Sequence, residues 1–77
     1  MNQAILFNDD HHYDNSKQRW IFTGSLSGEQ VMVVVESRLH QHSKITDALK
    51  FDWEILVEDW LEHNDPVSSI IDIKATN

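Results

Sequence analysis

Between Thr46 and His63, the residues Leu49, Trp53, Leu56, Val57 and Trp60 recur at i, i+4, i+7, i+8 and i+11, the spacing that gathers apolar side chains on one side of an α-helix. This stripe constrains the fold more tightly than anything else in the chain, because a helix face carrying two indoles has to be covered by another element. Thr46 is placed to cap the first turn, Asp47 lies at the positive end of the helix dipole, and Asn64-Asp65-Pro66 stops the element. With no cysteine among 77 residues, the cover has to come from packing rather than from a disulfide. A chain this short closes around one hydrophobic core, so residues 1–77 are read as a single small domain.

The covering surface is written in the first half of the chain. Gln3-Ala4-Ile5-Leu6-Phe7 reads as a short strand that gives way to a polar loop, Asn8-Asp9-Asp10-His11-His12. Further on, alternation puts Trp20, Phe22 and Leu26 on one face and Ile21, Thr23 and Ser25 on the other, as in a strand with one buried side. Ser27-Gly28 supplies a turn, and Gln30 to Glu36 carries the β-branched run Val31-Met32-Val33-Val34-Val35, so these two strands form a hairpin. The second is apolar on both faces and is placed centrally. Val67 to Ile73 has the composition of a last, edge strand. The predicted fold is α+β: an antiparallel sheet of three to four strands, one long helix in the C-terminal half packed on one face, and a short helix or turn before it, at Ser37 to Ser43.

Several of these residues, in this order, resemble a family of small bacterial proteins, the domain of unknown function 1488 family, also described as Shew-type hypothetical proteins. Met1-Asn2-Gln3-Ala4-Ile5-Leu6-Phe7 is similar to the family's opening, Tyr13-Asp14 to its aromatic-Asp pair, and Phe22 and Gly28 to its hairpin. Phe51-Asp52-Trp53-Glu54, followed by Val57-Glu58 and Leu61-Glu62, is similar to the helix of that family. The chain departs from the pattern at Asn8, where proline is common, in the larger Trp53 and Val57, near Val33, where cysteine is frequent, and in a shortened stretch from His40 to Ile45. The resemblance implies a compact α+β fold with a helix on an antiparallel sheet, and transfers no catalytic or binding residue.

Charge narrows the classes of partner. Thirteen acidic and six basic residues give a formal charge of −7, and Lys and Arg form no stripe, which argues against nucleic acid. No apolar stretch approaches the roughly 20 residues that cross a bilayer, and no basic segment leads into an apolar run at the N-terminus. Membrane partners are therefore not expected, and a cytoplasmic location is.

Catalytic parts are poor. Ser25, Ser27 and Ser37 lack the context of an activated nucleophile, two glycines make no phosphate loop, and there is no thiol. Asp59 and His63, at i and i+4, read as an exposed ion pair. No catalytic residue and no cofactor is assigned. Two other surfaces remain. Phe51 and Ile55 lie one turn apart on the side of the helix away from the stripe, to be covered by another part of the chain or by a second protein. Glu54, Glu58 and Glu62 form an acidic ridge whose like charges cost about 0.2–0.5 kcal/mol per pair. Together these five residues point to a noncatalytic interaction module that self-associates or docks on a basic protein. The alternative is a metal-binding protein, with Asp9, Asp10, His11, His12, His40 and His42 as nitrogen and oxygen donors suited to zinc or nickel.

Overall fold

The computed structural model describes residues 5–36, 45–66 and 68–74. Its elements run β1 (Ile5–Phe7), β2 (His12–Asp14), β3 (Arg19–Leu26), β4 (Glu29–Glu36), α1 (Asp47–His63) and β5 (Ile70–Lys74). They form a five-stranded sheet in the order β1-β3-β4-β5, with β2 also paired to β3, and one helix.

The hairpin is set by its turn. Leu26 pairs with Glu29, leaving Ser27 and Gly28 as a two-residue loop in which both have positive φ, 53° and 83°. That backbone matches the twist of the two strands it joins, and Gly28 adopts it without a Cβ penalty. Alternation along β3 then turns Trp20, Phe22, Gly24 and Leu26 inward, with Val31, Val33 and Val35 of β4 beside them.

The sheet is mixed, where antiparallel pairing alone was expected. β1, β2 and β4 run antiparallel to β3, but β5 runs parallel to β4, with Met32 opposite Ile70 and Glu36 opposite Lys74. The cause is the helix between them. Seventeen residues in α1 span about 25 Å, close to the length of an eight-residue strand, so the chain is carried back to the start of β4 before β5 begins. The described residues also form five strands rather than three to four, because His12–Asp14, not expected as a strand, pairs with β3. β4 is central and β5 lies at an edge, as anticipated. The segment read as a short helix or turn, 37–43, lies outside the described residues.

Thr46 caps α1: its Oγ1 accepts from the Leu49 amide at 3.2 Å, and its carbonyl accepts from the Lys50 amide at 3.0 Å. Trp53, Val57 and Leu61 are buried against Phe22, Val33, Val35, Ile71 and Ile73, and the Trp53 ring lies 5.8 Å from that of Trp20. Leu56 departs from the predicted stripe, being 39% exposed, and Leu61 takes its place. The buried arc is thereby rotated about the helix axis, which brings Glu54 to the seam between helix and sheet. No helix among the described residues is long and apolar enough to cross a membrane.

Candidate functional site

The seam opens where the first edge of the sheet is interrupted. Phe7 faces Gly24 and His12 faces Ile21, so Asn8, Asp9, Asp10 and His11 occupy the stretch that Phe22 and Thr23 span on β3. This is a β-bulge with two extra residues, and such bulges re-aim side chains. Thr23 holds it in place. Its amide donates to Asp10 Oδ1 at 2.9 Å, its hydroxyl donates to Asp10 Oδ2, and the same hydroxyl accepts from Asn8 Nδ2 at 2.8 Å. Burial alone pushes the Asp10 carboxyl up, but the two bonds from Thr23 outweigh it and hold the group below the usual carboxylate range.

With Asp10 committed to Thr23, the neighbouring side chains leave the bulge in different directions. Asp9 reaches α1, where the Lys50 ammonium donates to its Oδ1 at 2.8 Å; this bond and the lysine's charge lower the Asp9 pKa. His12 is exposed and returns an Nδ1 contact of 3.0 Å to the Asp10 carbonyl. His11 turns inward. Its ring stacks on Phe22 with centroids 4.2 Å apart and planes 17° from parallel, and its side chain is 1% exposed.

Neither ring nitrogen of His11 has a hydrogen-bond partner. Nδ1 is 4.0 Å from Asp9 Oδ1 and Nε2 is 3.8 Å from Glu54 Oε2, both beyond hydrogen-bond reach. Burial, and then the charge of Lys50, depress the His11 pKa against the opposing pull of Asp9 and Asp10, so the ring is neutral near pH 7. Glu54 moves the other way: its partial burial, with Asp9 and Glu58 nearby, raises its pKa.

Of the residues singled out in the sequence as metal donors, the fold gathers Asp9 and His11 and adds Glu54, which had been grouped with the acidic ridge. Asp10 spends its oxygens on Thr23, His12 projects elsewhere, and His40 and His42 lie outside the described residues. Lys50 and Thr23 were not foreseen; an intrahelical lysine and a strand threonine carry no local signal of a partner 41 or 13 residues away. A second cluster, Asp59, Glu62 and His63, brings its ligand atoms within 4.8 Å of one another at the end of α1, with all three residues exposed. His63 Nδ1 in that cluster lies 3.0 Å from the Asp59 carbonyl.

The remaining face of α1 is open. At about 100° per residue, Phe51, Ile55, Glu58 and Glu62 fall within an arc of about 60° on the side away from Trp53. Phe51 is 62% and Ile55 44% exposed, so among the described residues neither the last strand nor any other element covers them; the segment near Leu39, the other cover expected for this pair, lies outside the described residues. Lys50, the only Lys or Arg within α1, is turned away toward Asp9.

No family model matches the chain, and no curated protein matches it. Among solved structures, it is similar to a crystal structure of a protein of unknown function from the DUF1488 family, from Shewanella loihica PV-4. The two share 22% sequence identity over 95% of this chain and 94% of the other, with a TM-score of 0.68. The chain therefore has the fold of that protein, the one implied by the resemblance of its opening, hairpin and helix residues to the same family.

Proposed function

We propose that the protein is a noncatalytic docking module and that the outer face of α1 receives a basic protein segment carrying an apolar anchor. The observation that carries this reading is the pair of large apolar side chains, Phe51 and Ile55, exposed one turn apart and flanked by Glu58 and Glu62 on the same arc. An exposed aromatic ring gains by being covered, and surrounding charge selects what covers it. The formal charge of −7 draws a basic segment in from a distance. A second copy of the chain fits less well, because a two-fold contact through this face brings together Glu58 and Glu62 of both copies with no base on the arc to offset them.

The test is calorimetry with a soluble Lys/Leu amphipathic peptide, comparing the wild-type chain with Phe51→Asp. Substitution by Asp adds negative charge. Simple electrostatic attraction to the peptide therefore strengthens in the variant, whereas docking around the ring weakens by at least about ten-fold, about 1.4 kcal/mol. Unchanged or tighter binding by the variant overturns the proposal. Concentration-dependent dimerisation of the wild-type chain, abolished by the same change, would assign the face to a second copy instead.

A further inference from the structure

His11 is an imidazole shut away from water with both nitrogens lacking a hydrogen-bond partner, held in that position by a bulge that Thr23 and Asp10 fix. Buried polar atoms are paired in the great majority of cases, and an unpaired one marks a place where another group belongs. Four surroundings indicate which group. The gap of 3.8 Å between Nε2 and Glu54 Oε2 is too long for a hydrogen bond, yet two ligand bonds of about 2.0–2.1 Å bridge it with a bend between them. Asp9 lies beyond the opposite nitrogen, where a carboxylate accepting from Nδ1–H directs the lone pair of Nε2 outward. The carboxylates of Asp9, Asp10 and Glu54 are gathered about the bulge with one ammonium, that of Lys50, among them, which supplies oxygen donors and counter-charge for a cation. Finally, the Glu54 side chain is 28% exposed, which gives an ion and its remaining water ligands a way in.

We infer that Nε2 of His11 and the carboxylate of Glu54 form a binding site for one divalent transition-metal ion, Zn²⁺ or Ni²⁺, with Asp9 as the positioning residue that orients the ring through Nδ1. Solvent completes the coordination shell. Asp9 moves about 1 Å to reach Nδ1, and its bond to Lys50 tracks that movement, coupling the site to the first turns of α1. This site lies on the seam between helix and sheet, separate from the Phe51 face.

The experiment is titration of the chelator-treated chain with Zn²⁺, followed by calorimetry and by the ¹⁵N resonances of the histidine rings. One ion per chain is expected, moving the Nε2 resonance of His11 and leaving His12 in place. Glu54→Gln weakens binding at least about ten-fold, on the scale seen for altered metal sites. His63→Gln leaves it unchanged, which separates this site from the exposed Asp59, Glu62 and His63 cluster. A His11 Nε2 resonance that does not respond to Zn²⁺ overturns the inference, as does binding that survives Glu54→Gln but is lost in His63→Gln. Because the resonances are read on the wild-type chain, the outcome holds even where a substitution at His11 fails to fold.

Discussion

Replacing His11 with phenylalanine should stabilise the metal-free fold, although it alters a buried position. In the wild-type chain both ring nitrogens are buried without a partner, and one such unsatisfied group costs about 1–3 kcal/mol. Phenylalanine keeps the flat ring stacked 4.2 Å from Phe22 and removes the polar atoms. Its slightly larger ring opposes the gain, since overpacking costs about 1–3 kcal/mol in a rigid core. Here the penalty falls toward the low end, because the neighbouring Glu54 and Lys50 side chains are 28% and 24% exposed and can give way. A net stabilisation of about 1 kcal/mol follows, which for a domain of this size raises Tm by about 4–8 °C. The same argument fixes a pH dependence. His11 has a folded-state pKa below its ordinary 6.5, so as pH falls through that value the unfolded chain takes up the proton first and the wild-type protein loses stability. Thermal melts in EDTA at about pH 7.5 and about pH 5.5 should show the phenylalanine variant melting higher at both, with a wider margin at the lower pH. A variant that melts at or below wild type near neutrality, or a margin that does not grow on acidification, refutes the account of the buried ring.

Other consequences are local. Thr46→Ala removes the acceptor for the Leu49 amide and should cost about 1 kcal/mol by urea denaturation, with little change in the native circular dichroism. Gly28→Ala places a Cβ at φ 83°; nothing obstructs the added atom, so the loss of about 1–2 kcal/mol comes from the backbone conformation alone and should be absent in a glycine-retaining Ser27→Asn control. Asp10→Ala releases both bonds from Thr23, and the Thr23 amide should exchange with solvent faster while the Val33 amide on β4 keeps its protection.

Much of this architecture is legible in local patterns, because the forces that set it act over a few residues. The alternation around Trp20 and Phe22, the Ser27-Gly28 turn and the Thr46 cap each announce an element without reference to the rest of the chain. What is not legible depends on distant pairing. The apolar residues of β5 look the same whichever way the strand runs, and its parallel direction follows from the length of α1. β2 is polar because it lies at an edge, so its composition resembles a loop. The site is the clearest case. Asp9 and His11 stand out in the sequence, but their convergence on Glu54 requires both the bulge against Thr23 and the rotation of α1 that replaces Leu56 with Leu61 in the core. A helical wheel drawn through Leu56 leaves Glu54 in a ridge with Glu58 and Glu62; the packed helix divides the three.

That division of α1 into one face that makes the fold and another that faces outward is tested by comparing urea denaturation of Trp53→Ala and Phe51→Asp. Trp53 is 2% exposed, so its truncation should cost about 3–5 kcal/mol, while the change at Phe51 should stay within about 0.5 kcal/mol of wild type. Losses of similar size at the two positions would mean that Phe51 is held inside the protein, and would contradict both the orientation of the helix and the docking face built on it.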